Sequence, residues 1–309
     1  MDMMINRNME QLKEAAKRDI LAQLGENWTV KENEVTKNNT SLTGITFIKG
    51  DIPGGPTIYA EDLYHIVDSG IPYDEMVSEM ATCISKSAAQ FDSIRDSFME
   101  FDFEKTKSML RASLIGTDRN KDLLSECVHR EVCPGLALIA YVVNKNLRAR
   151  VTAAMAAELG ASAEKILDAA LENSVTALPP VLSDMGEAIN GSLHTENLLD
   201  AAGPIDHEVS MYVLSNREGF QGACSLFFPG IKERICDLLE GSFYALPSSL
   251  HEFIIVPAAG EKDPENLFEL VYSANRSGVV EEADILTDGV FICRPGKDIE
   301  RYIPKKLFS

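Results

Sequence analysis

Residues 209–257 read VSMYVLSNREGFQGACSLFFPGIKERICDLLEGSFYALPSSLHEFIIVP. Met211 to Leu214 is a short apolar run stopped by Ser215-Asn-Arg-Glu-Gly219. Apolar side chains at every position mark a strand covered on both faces. Gly222 to Phe228 can form one helical segment, and Pro229-Gly230 interrupts it. Ile231 to Leu239 then places Ile231, Ile235, Leu238 and Leu239 at helical spacing. Gly241 takes the position after a helix end that tolerates positive φ. Phe243 to Leu246 and Phe253 to Val256 are two further strands, separated by the polar corner Pro247-Ser-Ser-Leu-His-Glu252. Three apolar strands around one helical pair predict helices layered on a sheet.

Working outward, 309 residues suggest two domains at about 150 residues each. The boundary is expected near residue 100, giving an N-terminal α+β domain over 1–100 and a C-terminal α+β domain with a central sheet over 101–309. Met9 to Leu24 predicts an amphipathic helix ended by Gly25. Trp28 to Ile48 predicts a hairpin turning at Asn38-Asn39. Helices are expected over Ala60–Asp68 and from Pro72, the latter with Met76, Met80, Cys83 and Ile84 inward. Asp102 to Ile115 has helical character. Leu136 to Val143 is the strongest strand pattern, with Asn144-Lys-Asn146 turning it into a partner strand. Helices follow at Ala153–Leu159 and from the Ser162 cap, with Ile166, Ala169, Ala170 and Leu171 inward. Gly186 to His207 reads as loop. Asp263-Pro264 opens a helix with Leu267, Leu270 and Val271 inward. Val290 to Cys293 is a last strand, and Lys297 to Ser309 reads as a tail. The fold class is α+β, with mixed or antiparallel sheets packed against helices in two subdomains.

The formal net charge is −19. Such a chain repels phosphate backbones, so nucleic-acid binding is not expected. No apolar run reaches the roughly 18 residues of a membrane helix. Six scattered cysteines fit reduced thiols in the cytoplasm rather than a disulfide framework, and Cys83 and Cys224 read as small core residues.

Val35-Thr-Lys-Asn-Asn39, Gly55-Pro-Thr-Ile-Tyr59 and Leu246-Pro-Ser-Ser-Leu-His-Glu252 together resemble the bacterial domain of unknown function 5688 over nearly the whole chain. The second half is also distantly similar to the family numbered 1444, through Ala-Leu-Glu-Asn at 170–173 and the Pro-Ser corner. The resemblance implies a bacterial cytoplasmic setting and brings no activity or catalytic residue.

Candidate chemistry is sparse. Cys127, His129 and Cys133 form the best metal-like cluster, but C-x-H-x3-C is not a common zinc spacing. Ser248, Ser249, His251 and Glu252 contain the residue types of a hydrolytic triad. Triads assemble from distant segments, however, and no G-x-S-x-G elbow is present. Those four residues read first as a strand connection whose hydroxyls satisfy turn backbone groups, with a weak ligand-binding corner ahead of catalysis as the functional alternative. The Gly-rich loop Asp51–Pro56 lacks the Lys-Ser/Thr of a phosphate loop. Asp206-His-Glu208 and His65 are bland candidates for ligation.

The sequence therefore predicts a non-enzymatic protein that binds another protein or a small ligand, with no cofactor. The alternatives are a hydrolase with a non-standard site around His251 or Cys127, and an acidic decoy that mimics DNA.

Overall fold

The computed structural model of the chain describes residues 2–50, 55–99, 102–144, 147–189, 197–205, 211–258 and 263–304, with backbone only at 2–8, 90–99 and 147. It divides into two compact units, Met1–Glu100 and Phe101–Ser309.

In the first unit α1 (Asp2–Leu24) precedes β1 (Trp28–Lys37), β2 (Thr40–Lys49), β3 (Thr57–Tyr59), α2 (Ala60–Asp68) and α3 (Tyr73–Met99). The strands form one antiparallel sheet in the order β1-β2-β3. Lys37 opposes Thr40, which leaves the two-residue turn Asn38-Asn39, and Asn39 takes a positive φ, which asparagine tolerates better than most residues. Ile20, Phe47, Leu63, Met76 and Ile84 share one buried cluster. Met76, Val77, Met80, Ala81, Ile84 and Ala88 make the inward stripe of α3. Cys83, expected inward, is exposed, because the residue directly before Ile84 falls about 100° around the helix.

Glu32 on β1 accepts hydrogen bonds from Lys17 and Lys13 of α1. These bonds, Lys17 first, hold its carboxyl down at about 2 despite the burial that opposes it. A carboxyl depressed by folding stabilises the native state above its unfolded value, about 4.3, and that contribution is lost as pH falls towards 2. With the side chain one-third exposed, solvent screening leaves this on the order of 1 kcal/mol. Acid titration monitored by Trp28, the single tryptophan, is expected to show this loss, and Glu32→Gln is expected to flatten it.

The second unit begins with a correction. The helix expected over 102–115 is short α4 (Phe103–Thr106), capped by the Asp102 carboxylate, and a 3-10 turn at Lys107–Met109. Strand β4 (Leu110–Gly116) follows. Burial over almost every residue of β4 explains why no two-residue alternation marked it. There follow α5 (Lys121–Glu126), β5 (His129–Cys133), β6 (Leu136–Asn144), β7 (Leu147–Arg150), α6 (Ala153–Glu158) and α7 (Ala163–Ala177). Strand β6 pairs with β4 on one side and with β5 and β7 on the other, all antiparallel. Helix α7 packs on β4 and β6. Its fully buried Ser174 accepts a hydrogen bond from the Ala112 amide (2.9 Å) and donates to the Ala170 carbonyl (2.8 Å). Leu167, not the expected Leu171, completes its inward face with Ile166, Ala169 and Ala170.

The remaining elements are β8 (Pro180–Asp184), α8 (Met185–Ile189), β9 (Tyr212–Asn216), α9 (Ile231–Leu238), β10 (Phe243–Pro247), β11 (Phe253–Pro257), α10 (Pro264–Ala274), β12 (Val290–Cys293) and β13 (Glu300–Tyr302). The six strands form one sheet, β13-β12-β10-β11-β9-β8, antiparallel throughout. Gly222–Phe227 is a 3-10 segment. The expected loop 186–207 contains part of α8 and a 3-10 turn at Leu198–Asp200. The expected tail supplies β13, which pairs Tyr302 with Val290 and Arg301 with Phe291. Three residues are too few to show a two-residue period in sequence. Positive φ after α9 belongs to Glu240 rather than Gly241.

Leu246, Val256, Phe268, Val271 and Val290 form a cluster beneath α10. The intervening strand residues Phe243, Ala245, Phe253, Ile255 and Phe291 are fully buried on the opposite face. Leu270, expected inward on α10, is 55% exposed, and Phe268 takes the buried place. The two sheets share a connection pattern. In each, a strand is followed by helix and hairpin, and the hairpin's second strand lies between the first strand and its own partner: β4-β6-β5 and β9-β11-β10.

Candidate functional site

The polar corner between β10 and β11 is knitted to its own backbone. The Ser248 and Ser249 amides both donate to the Glu252 carbonyl. The Ser248 hydroxyl donates to Glu252 Oε1 at 3.1 Å, and Ser249 Oγ accepts from the His251 amide at 3.0 Å. His251 Nδ1 accepts from the Gln221 amide at 3.0 Å. The ring proton of the neutral imidazole therefore sits on Nε2, which faces Asp284 Oδ1 at 3.5 Å. Phe220 lies against the ring, with centroids 5.3 Å apart, and Arg148 covers Phe220. Ser215, the other nearby hydroxyl, donates to the His251 carbonyl at 2.7 Å. The fold thus brings the four residues together as a turn, with both imidazole nitrogens occupied and each hydroxyl turned to a neighbour.

Cys127 caps α5 and Cys133 ends β5, and both are buried; His129 lies exposed between them. His129 Nδ1 meets the Cys127 carbonyl rather than a thiol. Among the described residues, no group of three or more His, Cys, Asp or Glu side chains is placed to hold a metal ion. Burial pushes the Cys127 thiol up and the Cys133 thiol to about 12, which keeps both protonated and weakly nucleophilic. Asp206-His-Glu208 and Asp51–Gly54 lie outside the described residues.

A different place in the second unit combines concavity with chemistry. A cleft of about 570 Å³ opens between α10, β13 and the β5–β6 turn, within the usual size of small-molecule sites. Phe268, Tyr272 and Arg276 stand four residues apart, so they share one side of α10 and the turn after it. The Phe268 and Tyr272 rings stack at 5.9 Å, and the Arg276 guanidinium lies 3.4 Å over Tyr272. Arg276 donates twice to Asp288, at 3.1 and 3.0 Å. Burial pushes the Asp288 carboxyl up, but hydrogen bonds from Arg276 and Asn275 outweigh it and hold the group below the usual carboxylate range. Arg119 also reaches Asp288, at 3.3 Å.

Across the cleft, Arg301 donates twice to Asp118, at 3.2 and 2.6 Å, and once to Thr287 Oγ1 at 3.2 Å. Its side chain occupies room left by two glycines. A Cβ on Gly135 would lie 2.3 Å from Nη1, and one on Gly289 would lie 2.8 Å from Nε. Gly135 also has φ +91°, which the Pro134-Gly135 turn demands and other residues resist. Tyr302 donates to Glu265, which raises its hydroxyl to about 12. A second concavity, of about 450 Å³, is lined in part by Lys232. That ammonium is spent on the Arg294 and Lys297 carbonyls and Glu233.

Compared with known proteins, residues 9–294 match the Family of unknown function (DUF5688). The chain belongs to that family. The match does not bear on the likeness of the second half to family 1444. No curated protein and no solved structure matches the chain. For this DUF5688 chain the cleft is a candidate site that the sequence reading above does not contain. Its sequence signal is Phe268-x3-Tyr272-x3-Arg276, an aromatic and cationic ladder on a helix whose apolar spacing points to Leu270 as inward. Arg301 carried no signal of its own, because its role depends on Gly135, more than 160 residues away.

Proposed function

We propose that this chain works by binding a small ligand in the cleft between α10, β13 and the β5–β6 turn, and not by catalysis at the Ser248–Glu252 corner. The observation that carries this reading is the stacked column Phe268–Tyr272–Arg276 facing Arg301 and Tyr302 across a cavity of about 570 Å³. Rigid aromatic surface with a few fixed polar donors is the composition of a binding site. Tyr272 and Ile303, which line it, are 38% and 65% exposed, so apolar surface is open to a ligand. At His251, the centre of the hydrolase alternative, Nδ1 is taken by the Gln221 amide and Nε2 faces Asp284, so among the described residues neither nitrogen is hydrogen-bonded to a hydroxyl. Among the described residues no helix is long and apolar enough to cross a membrane.

The test is a fragment screen on the full chain by heteronuclear NMR. Ring-containing fragments are expected to shift signals around Tyr272, Arg276 and Tyr302. Tyr272→Ala is expected to weaken them about tenfold, the scale of one lost aromatic contact. Fragments that bind only elsewhere, or that ignore Tyr272→Ala, overturn the reading.

A further inference from the structure

Resting on that cleft as the binding site, we propose that its ligand is a small apolar ring bearing a carboxylate, and that Asp118 occupies the carboxylate's place on Arg301. The two arginines of the cleft are held differently. Asp288 is bound by Arg276, Arg119 and Asn275, and only 22% of its side chain is exposed. It is part of the wall. Asp118 is 52% exposed and lies on the connection after β4, where it meets the Arg301 fork through both oxygens. Asp118 is the solvent-exposed member of this pair and Arg301 the held one, so an incoming carboxylate reaches the guanidinium by displacing Asp118 into water.

Arg301 stays in position when Asp118 leaves. The Thr287 hydroxyl holds Nη2, and the side chain fills the room left at Gly135 and Gly289. The fork is therefore preorganised, and its paired N–H groups match two coplanar oxygens on one carbon better than a single acceptor. Beside it lie the exposed Tyr272, Ile303 and Pro134, which give a ring apolar surface to cover. The carboxylate end and the apolar end of the ligand are thus specified by adjacent walls of one cavity.

The experiment titrates the full chain with phenylacetate and with its neutral isostere phenylacetamide, following NMR shifts at the cleft. Phenylacetate is expected to bind at least about tenfold tighter, the worth of a charge-assisted pair. Asp118→Ala is expected to tighten phenylacetate about five- to tenfold by removing the competitor while leaving the amide unchanged. Asp118→Asn, which keeps the side-chain shape, is expected to do the same in smaller measure and serves if the alanine variant fails to fold. Equal binding of acid and amide overturns the carboxylate assignment and leaves the cleft as a binding site. Weaker phenylacetate binding in either Asp118 variant overturns the role of Asp118. Tighter binding of phenylphosphonate than of phenylacetate reassigns the subsite to phosphorus oxyanions and overturns the proposal. Failure of acid and amide alike, with no response to Tyr272→Ala, overturns the cleft itself and this proposal with it.

Discussion

Phe253→Ala is expected to destabilise the second unit by about 3–5 kcal/mol, the usual cost of removing a fully buried phenyl ring from a core. Phe253 is wholly buried. It sits on β11 inside the six-stranded sheet, opposite Pro247 on one side and Leu214 on the other. Its ring meets Phe291 edge to face, with centroids 6.1 Å apart and planes at 88°. Alanine removes both the transfer free energy of the ring and that aromatic pair. Sheet backbones relax little around such a hole, because β11 is hydrogen-bonded on both sides. Urea denaturation gives the magnitude, and hydrogen exchange gives the place. Protection is expected to fall across β9, β10 and β11. A loss below about 1 kcal/mol would contradict the buried position of this ring.

Gly116→Ala is expected to cost about 3 kcal/mol, the upper end of overpacking effects. A Cβ at this position would lie 2.0 Å from the Leu286 carbonyl oxygen. The obstacle is backbone, not the end of a flexible side chain, so either β4 or the Leu286–Thr287 segment has to move. Thr287 and Asp288 anchor Arg301 and Arg276, so the same substitution is expected to loosen the cleft and to weaken any ligand bound there. Gly203→Ala provides the comparison: nothing lies within 4 Å of its added Cβ, and a change within about 0.5 kcal/mol is expected. Equal melting temperatures for the two variants would show that the close approach at Gly116 does not exist.

The carboxylates of this acidic chain are partly committed within the fold. Glu32, Asp118 and Asp288 each meet lysine or arginine, as do Glu164 and Asp168, which share Arg130. Those residues offer a DNA-binding partner less free charge than the composition suggests.

Much of the architecture was legible in the residues. Periodicity placed α1, α3, α7, α9 and α10, because a one-sided apolar stripe at 3.6-residue spacing has few other uses. Apolar runs placed β6, β10, β11 and β12, and Asn38-Asn39 placed the first hairpin turn. Local chemistry also identified the Ser162 cap, whose side chain accepts from the Lys165 amide, and the helix start at Asp263-Pro264, where the Asp263 carboxylate accepts from the Glu265 amide. Short elements escaped. Strand β4 is buried on both faces and so carries no alternation, while β8 and β13 are edge strands of five and three residues. The polar corner Ser248 to Glu252 was legible too, because its hydrogen bonds are largely local. The order of the sheets and the cleft were decided by tertiary structure alone. Each depends on contacts between residues remote in sequence, such as Arg301 with Asp118 and Gly135, and no local pattern encodes a contact whose energy exists only after the chain has closed the loop between them.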